Sequence, residues 1–419
     1  MPKKHKIGLV LSGGGARGAY EAGIMHYILT QLAPKKLVIQ NFDIYCGSSV
    51  GALNTCYLAS VAHENPIVAG NKLYQTWNTL KQEQIYARDF MALSQFVAQS
   101  AAGITMNLFR RLGKNSASEK GRHFVGLFNT KPLPKFLRDY IDFKQLNKNV
   151  SKGPVSAVSL TATNVNTGYM ELFVKKKKDT AYTGAYVFRE TDLEVEHAVA
   201  SGAIPIVFPS QKIGKYHYVD GGLRLNTPMS PAIQLGADRV FVIGMHNATA
   251  RRNLEGSELE KVHTPPLGEI IGKVLNSIFL DHIEYDIEQL TRINLIIEWG
   301  RLTYGEDFLD RINNTLLKNK IRGDIANRGL KDIQAFSIFP SRDIGKLFSD
   351  CLSDQTNFKA YFGPLEKLVL KILDIDINET QDFLSYLMFM PNYLQKLLEL
   401  GYLDAETHRD ELIQFLSCE

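Results

Sequence analysis

Two glycine-rich turns near the start of the chain restrict its fold to buried strands that turn sharply into helices. The first turn, Gly13-Gly14-Gly15-Ala16-Arg17-Gly18, follows the apolar run Ile7 to Leu11 and precedes a helical pattern that begins at Ala19. The second turn, Gly47-Ser48-Ser49-Val50-Gly51, follows Phe42 to Cys46 and also precedes a helical pattern. Glycine is needed where a backbone doubles back this tightly, because a Cβ atom would clash there. The sequence therefore predicts two strand-turn-helix units.

Ser49 is the candidate nucleophile in the second turn. Gly47 and Gly51 flank it, and this Gly-x-Ser-x-Gly spacing after a strand predicts an elbow that exposes the serine hydroxyl. The first turn opens a helix, so its backbone N–H groups and the positive end of the helix dipole point at one place. Together the two turns predict an oxyanion cradle that faces Ser49.

The first turn also fits another type of site. Gly13, Gly15 and Gly18 match the Gly-x-Gly-x-x-Gly fingerprint of dinucleotide-binding proteins. Against this interpretation, Arg17 lies inside the turn, and Asp43, the acidic residue nearest to the spacing of a ribose contact, lies in the strand-like run that leads into the serine turn. Dinucleotide binding is therefore the less favoured alternative, and it predicts a nucleotide bound to the purified protein.

A carboxylate follows a strand-like segment much later in the chain. Tyr216 to Val219 has the pattern of a short strand and runs into Asp220-Gly221-Gly222. The apolar segment Ala200 to Pro209 lies upstream, and Asn226-Thr227-Pro228 begins a new helix downstream. With the glycine-rich turn, the serine elbow, the Ala-Ser-x-Ala-x-Pro-x-x-Phe-Pro segment and the Asp-Gly-Gly turn in this order, the chain resembles the patatin-like phospholipase family from residue 5 to about 250.

The resemblance implies a serine lipid acyl hydrolase with a Ser-Asp dyad, placed here on Ser49 and Asp220. Arg17 has two interpretations, contact with a lipid phosphate or bracing of the turn by hydrogen bonds to carbonyl oxygens. Bracing is favoured because the family's turn carries a basic residue whatever the headgroup. The oxyanion is assigned to the backbone N–H groups of Gly14, Gly15 and Val50. The full oxyanion and substrate site comprises Gly13, Gly14, Gly15, Arg17, Gly18 and Val50, with Gly47, Gly51, Gly221 and Gly222 as motif glycines.

The histidines are consistent with a dyad that uses no imidazole. None of the ten histidines lies in a glycine-flanked turn. His217 comes three residues before Asp220, so its side chain is expected on the opposite face of the strand, at the surface. A carboxylate is a weak base toward a serine hydroxyl in water. The dyad therefore requires Asp220 to be buried, because burial raises the basicity of a carboxylate.

Alternating strand and helix patterns predict the fold class. Strands are predicted near residues 6–11, 38–46, 155–163, 206–208, 216–219 and 239–244, with helical stretches between them. The alternating segments Val155 to Asn164 and Gly168 to Val174 predict an antiparallel hairpin at an edge. The expected fold is α/β, and the resemblance implies a patatin-like three-layer α/β/α sandwich with a mostly parallel central sheet and a C-terminal helical region.

Two domains are predicted. A patatin-like catalytic domain covers residues 1–340, with its core motifs in 7–250, and a C-terminal helical domain covers 341–419. Residues from about 80 to 130 mix apolar and basic side chains, which suggests either a mobile cap that contacts lipid or an irregular surface loop. Leu267 to Asn294 has the period of one long helix, and Ala335 to Phe339 has the pattern of a final strand.

Composition and motifs argue against several classes of partner and cofactor. With 45% hydrophobic and 22% charged residues, the 419-residue chain has the balance of an ordinary globular protein. Its net charge of +4 gives no indication of a nucleic-acid partner. The four cysteines have no metal-binding spacing, and neither a His-Glu-x-x-His nor an EF-hand pattern occurs. We therefore expect no cofactor, no bound metal and no dependence on calcium.

The sequence also bears on location and partners. No apolar window is long enough for a membrane span, and the apolar run after Lys6 is too short for a secretory signal. We expect a cytoplasmic protein that acts peripherally on phospholipid membranes, with export independent of a signal peptide as an alternative. Two alternatives to simple hydrolysis are acyl transfer and a phospholipase that a protein or small-molecule activator switches on through the C-terminal helices.

Overall fold

The computed structural model describes residues 5–87, 126, 128–180, 182, 186–245, 283–319, 330–353 and 381–417, and the structural statements below concern these residues. The insertion predicted at about 80–130 lies for the most part outside the described residues. The first part of the helix predicted over Leu267 to Asn294 lies outside them as well. The interpretation of the insertion as a cap or a loop therefore stays a prediction.

A single sheet of nine strands forms the centre of the described chain. The strands are β1 (Ile7–Leu11), β2 (Ile44–Gly47), β3 (Ala157–Asn164), β4 (Met170–Lys176), β5 (Val187–Glu190), β6 (Gln211–Ile213), β7 (Tyr216–Asp220), β8 (Arg239–Ile243) and β9 (Gln334–Ile338). Their order is β5-β4-β3-β2-β1-β8-β9, and β7 pairs with β3 and β6. Strands β3, β2, β1, β8 and β9 are parallel neighbours, whereas β4 and β7 pair antiparallel with β3. The mostly parallel sheet and the antiparallel β3–β4 hairpin agree with the prediction. The predicted position of the hairpin at an edge is wrong, because β5 pairs with β4 and forms the edge.

The strand predicted at 206–208 is wrong. This run is a turn, and Ile206 has a positive φ of 70°, which lies outside the β region of backbone conformations. Val207 and Phe208 are buried in the core, so the segment is apolar because of burial and not because it pairs with a strand. Two prolines flank the run and lack the N–H groups that a sheet ladder needs.

Three other strands differ from the prediction in extent or were not indicated by the sequence. The strand predicted over 38–46 is confined to Ile44–Gly47. Its first part is apolar because Val38 is buried in the core, while the N–H of Ile39 donates to the carbonyl oxygen of Leu416. The sequence does not indicate β5 and β6, since their four and three residues are too few to show alternation.

Helices cover both faces of the sheet. The described α-helices are α1 (Gly18–Tyr27), α2 (Val50–Ser60), α3 (Pro66–Thr79), α4 (Gln82–Ile85), α5 (Pro132–Tyr140), α6 (Phe143–Lys152), α7 (Val195–Ser201), α8 (Met229–Gln234), α9 (Ile283–Tyr304), α10 (Phe308–Lys318), α11 (Ile344–Ser353), α12 (Gln381–Leu387), α13 (Pro391–Thr407) and α14 (Arg409–Leu416). Leu9 and Leu11 of β1 pack in one hydrophobic cluster with α1, α2 and α13, whereas Val10 packs in a second cluster with α8 and α9. This two-sided burial gives the three-layer α/β/α fold. None of the described helices combines the length and apolar content that crossing a bilayer requires.

Helix α13, which precedes the last described helix, packs directly on α1. Nine of the ten residues of α1 are buried, which explains why this helix has no polar face. A Cβ atom on Gly401 would overlap the carbonyl oxygen of Tyr20, so the two backbones are in contact. The Tyr20 hydroxyl donates to Asp404 Oδ2 at 2.9 Å, and the Ser341 hydroxyl donates to Asp404 Oδ1 at 2.5 Å. The tail is therefore fixed to the first helix, while the domain boundary at residue 341 stays a prediction.

Replacing Gly401 by alanine should destabilise the protein. Alanine is favoured over glycine in a helix by up to about 1 kcal/mol, so an open position would gain stability. Here the added methyl group meets the backbone of α1, and overpacking of this kind destabilises by about 1–3 kcal/mol. Chemical denaturation should therefore give Gly401→Ala a lower free energy of unfolding than wild type. The control Leu403→Ala, at an exposed position of the same helix, should change it little. Equal stability of Gly401→Ala and wild type would contradict the backbone contact.

Candidate active site

The sheet brings three strand ends to one edge. β1 and β2 are parallel and Leu11 pairs with Gly47, so the two glycine-rich turns leave the sheet side by side. Gly47 pairs with Leu160 of β3, and Ala162, two residues further along β3, pairs with Asp220 at the end of β7. The carboxylate therefore reaches the edge from an antiparallel strand and meets the serine turn there.

Ser49 lies in a strained elbow between β2 and α2. Its φ of 51° and ψ of −125° are in a region that residues with side chains rarely adopt. Cβ atoms on Gly47 and Gly51 would overlap the backbones of Gly51 and Leu11, so the turn closes only with glycine at both positions. The Ser49 N–H donates to Ser201 Oγ at 3.0 Å. These contacts fix the direction of the Ser49 side chain.

Ser49 and Asp220 are in direct contact. The Ser49 hydroxyl donates to Asp220 Oδ2 at 2.6 Å, and the Gly222 N–H donates to Asp220 Oδ1 at 2.7 Å. Gly221 lies against Thr161 of β3, which holds the Asp-Gly-Gly turn on the sheet. The two residues that the sequence assigns to one site, 171 positions apart, thus lie together.

Burial makes the Asp220 carboxylate unusually basic. Its side chain is fully buried, and desolvation raises its pKa from 3.8 to about 7. The hydrogen bonds from Ser49 and Gly222 favour the charged form and oppose this rise, but they are the smaller effects. A carboxylate with a pKa near 7 is a much better acceptor for a serine proton than one in water.

The glycine-rich turn lies beside the serine. A Cβ atom on Gly13 would lie 3.0 Å from Ser49 Cβ, and the Gly13 N–H donates to the carbonyl oxygen of Asn226 at 3.1 Å. The N–H groups of Gly14, Gly15 and Val50 have no acceptor among the described residues. All three predicted donors therefore remain available for an oxyanion, whereas Gly13, also predicted in the site, serves to hold the turn.

Arg17 and Gly18 have other surroundings. The Arg17 side chain is 2% exposed, and its guanidinium donates to Ser385 Oγ and to the Tyr386 hydroxyl of α12. Gly18 packs against Val50 and Trp77, since a Cβ atom on it would meet both side chains. The contacts of Arg17 fit the bracing interpretation, although the braces are side-chain hydroxyls of the distant tail.

An apolar pocket opens beside Ser49. It contains about 670 Å³ of empty space, its open mouth included, and nearly all of its wall is apolar. Its lining residues include Leu53, Trp77, Leu137, Phe208, Tyr386 and Phe389. An extended hydrocarbon chain fits such a wall, because burial of each methylene group contributes about 0.8 kcal/mol.

The described residues place no histidine in contact with the pair. The ring of His217 lies 3.2 Å from Ser210 Oγ and is partly exposed at the strand surface. No group of three or more His, Cys, Asp or Glu side chains in the described part of the chain could hold a metal ion. The expectations of no cofactor and no calcium dependence stay predictions.

Three contacts of the site are not predicted from the sequence. Ser201 bonds the Ser49 N–H, Asn226 holds Gly13, and Tyr386 lines the pocket. Ser201 and Asn226 belong to segments that the sequence analysis singled out, so their position in a motif was an available signal. Tyr386 has no such signal, because it lies in an ordinary apolar helical stretch far from every motif.

A serine elbow, a buried carboxylate and an apolar pocket thus lie together at one edge of the mostly parallel sheet of this α/β protein. A family model described as Patatin-like phospholipase matches residues 9–233. The chain belongs to this family and is a lipid hydrolase. This assignment replaces the dinucleotide-binding alternative for the first turn.

Solved structures also align with the chain. VipD from Legionella pneumophila is 14% identical over 94% of this chain and 92% of VipD, with a TM-score of 0.27. Human GIVD cytosolic phospholipase A2, solved with methyl gamma-linolenyl fluorophosphonate, is 10% identical over 98% of this chain and 59% of that chain, with a TM-score of 0.40. ExoU in the ExoU-SpcU complex of Pseudomonas aeruginosa is 18% identical over 98% of this chain and 76% of that chain, with a TM-score of 0.24. No curated protein sequence matches. The family assignment therefore rests on the family model.

The buried carboxyl should make stability depend on pH in a defined direction. Because the folded protein holds the Asp220 proton more tightly than the unfolded chain, stability falls as the pH rises from about 4 to about 7. The shift from 3.8 to about 7 corresponds to about 4 kcal/mol. Asp220→Asn carries no charge, so its free energy of unfolding should exceed that of wild type by an amount that grows over this range.

Urea denaturation of both proteins at several pH values checks this expectation. Asp139→Asn, which changes an exposed carboxylate in the same way, is the matched control and should show no comparable gap. A difference between wild type and Asp220→Asn that stays constant from pH 4 to pH 8 would show that burial does not raise the pKa of Asp220.

Proposed function

We propose that the protein is a serine phospholipase of the phospholipase A or lysophospholipase type, with Ser49 as nucleophile and Asp220 as base. The observation that supports this most directly is the 2.6 Å hydrogen bond from the Ser49 hydroxyl to the fully buried Asp220 carboxylate. The pair lies beside a pocket with an apolar wall, as the acyl chain of a lipid requires. Family membership supplies the class of reaction, lipid hydrolysis.

Acylation begins as Ser49 Oγ attacks the carbonyl carbon of the ester and Asp220 Oδ2 accepts the hydroxyl proton. The new C–O bond opens the carbonyl double bond into an oxyanion. When this tetrahedral intermediate collapses, the bond to the leaving alcohol breaks and the proton on Asp220 passes to that alcohol oxygen. The lysophospholipid or glycerophosphodiester product departs, and Ser49 carries the acyl group.

Deacylation uses the same base with water. Asp220 accepts a proton from water as the water oxygen attacks the acyl carbon, and the second intermediate collapses by breaking the bond to Ser49 Oγ. The proton then returns from Asp220 to Ser49, and the fatty acid leaves. One carboxylate serves both halves of the reaction, because it returns its proton within each half.

The oxyanion is stabilised by backbone N–H groups. Those of Gly14, Gly15 and Val50 lie on the turns around Ser49 and have no acceptor among the described residues. Loss of one such donor in a serine hydrolase raises the barrier by about 3 to 4 kcal/mol. The scheme assigns this stabilisation to the chain itself, so we propose turnover without calcium at the surface of phospholipid membranes.

Ser49→Ala should abolish lipid cleavage. Mass spectrometry of phosphatidylcholine vesicles incubated with wild type should show released fatty acid and lysophospholipid, because only wild type can form the acyl-enzyme. Loss of a nucleophile of this kind lowers turnover by at least about 10³-fold. Glycerol added to one arm distinguishes acyl transfer, which would yield acylated glycerol in place of fatty acid. Cell lysate added to another arm reveals an activator. Fatty-acid release by Ser49→Ala at the wild-type rate would overturn the proposal.

The pH profile of the same reaction identifies the base. With a soluble ester, kcat/KM of wild type should rise with pH through a value near 7, because only the carboxylate form of Asp220 accepts a proton. His197→Gln and His217→Gln serve as controls that keep the profile. A profile that disappears in either histidine variant would assign the base to that imidazole.

The pocket should set the preference for acyl chain length. Gly202 lines the pocket, and a Cβ atom there would have only the carbonyl oxygen of Ala198 near it, at 3.8 Å. Gly202→Val therefore adds side-chain volume at the pocket wall, from a Cβ position whose nearest backbone atom beyond the chain neighbours is 3.8 Å away. Displacing about two methylene groups of a bound chain lowers kcat/KM for a palmitoyl ester about tenfold relative to a butyryl ester. Gly202→Ala should show a smaller change in this ratio. An unchanged ratio in both variants would place the acyl chain elsewhere.

A further inference from the structure

The tail of the chain contacts the glycine-rich turn backbone to backbone. Gly15 has a φ of 55°, and a Cβ atom on it would overlap the carbonyl oxygen of Tyr386. Tyr386 belongs to α12 and is 1% exposed. The segment 385–389 also contributes Tyr386 and Phe389 to the pocket wall. A turn near the start of the chain thus has a segment from its end as its immediate support.

Arg17 connects this segment to the turn through its side chain. Its Nε and Nη2 donate to Ser385 Oγ at 2.9 and 2.6 Å, and its Nη1 donates to the Tyr386 hydroxyl at 2.9 Å. The guanidinium carbon lies 3.7 Å from the centre of the Tyr386 ring. Planar donors that bond two hydroxyls and stack on a ring are held in one orientation.

The fixed orientation of the Arg17 side chain also constrains the oxyanion donors, because the Arg17 backbone is bonded to their turn. Its N–H donates to the carbonyl oxygen of Gly14 at 3.1 Å, within the short helix Gly15–Arg17. The peptide unit between Gly14 and Gly15 carries both this carbonyl oxygen and the Gly15 N–H. Fixing Arg17 therefore fixes the direction of a donor that the proposed mechanism aims at the oxyanion.

We propose that Ser385 and Tyr386 are positioning residues for the reaction, which orient the Gly14–Gly15 peptide through the Arg17 guanidinium. This inference rests on the proposed function, because the oxyanion belongs to that mechanism. It assigns to the C-terminal segment a direct part in the rate of the chemical step. The tail is then a component of the active site, whatever else binds to its helices.

Loss of the Ser385 or Tyr386 hydroxyl is expected to lower kcat and not to weaken substrate binding. A donor misplaced by about 1 Å lowers the rate by up to about 10²-fold, because its hydrogen bond is needed most in the transition state. Tyr386→Phe removes the hydroxyl and keeps the ring that lines the pocket, and Ser385→Ala removes the other acceptor. Both variants should lower kcat for p-nitrophenyl butyrate by about 10- to 100-fold with little change in KM.

The control variant is Tyr402→Phe. Tyr402 lies on α13, and its ring packs on Tyr27 away from the glycine-rich turn. Its substitution removes a hydroxyl from the same tail and should leave kcat at the wild-type value. Thermal unfolding of all variants separates a fall in kcat from a loss of folded protein.

A double-mutant cycle tests whether the effect passes through Arg17. Arg17→Ala should lower kcat by itself, and adding Tyr386→Phe to it should cause no further fall, because the connection is already broken. Additive effects of the two substitutions would overturn the proposed route.

The outcomes also separate this inference from the proposed function. Wild-type kcat in Ser385→Ala and Tyr386→Phe, with Ser49→Ala inactive, would overturn the inference and leave the proposed function intact. A raised kcat in the tail variants would show that the segment restrains the enzyme, which also overturns it. Full activity of Ser49→Ala would overturn the proposed function itself.

Discussion

The hydrogen bond between Ser49 and Asp220 depends on the absence of water around it. A carboxylate at the surface would be too weak a base, and its bond to a hydroxyl would contribute little. The sheet removes water by ending three strands at one edge, where Leu11, Gly47 and Ala162 are in fixed register with their partners. Close backbone packing of this kind needs glycine in the turns. The site and the core of the sheet are therefore built by the same contacts.

The C-terminal helices also help to bury the elements that carry the site. Gly401 and Asp404 of α13 contact Tyr20 of α1, and Ser385 of α12 accepts a hydrogen bond from Arg17 of the glycine-rich turn. Each joins residues near the start of the chain to residues near position 400. The C-terminal helices that cover one face of the sheet are thus also the helices that support the site.

The sequence was sufficient to predict the turns, which depend on local backbone geometry. It was not sufficient to predict the contacts that depend on which segments are buried together. The glycine spacing around Ser49 indicates a turn that only glycine can close, so the elbow can be predicted from the residues alone. That Asp220 meets Ser49 came from a family resemblance, since no local pattern shows that β7 pairs with β3. The run 206–208 looked like a strand because buried turns and buried strands are equally apolar. The contacts of Arg17 with Ser385 could not be predicted, because no sequence pattern around a serine in a helix indicates a hydrogen-bond partner 368 positions away.

The pairing of α1 with α13 has a consequence during protein synthesis. Tyr20 and Asp404 are 384 positions apart, so at 5–20 residues per second roughly 20 to 80 seconds pass between the emergence of the two helices from the ribosome. Throughout this interval the apolar surface of α1 lacks its cover, and exposed surface of this kind attracts chaperones or other nascent chains. Chains that end before α13 should therefore aggregate, however complete their catalytic motifs are.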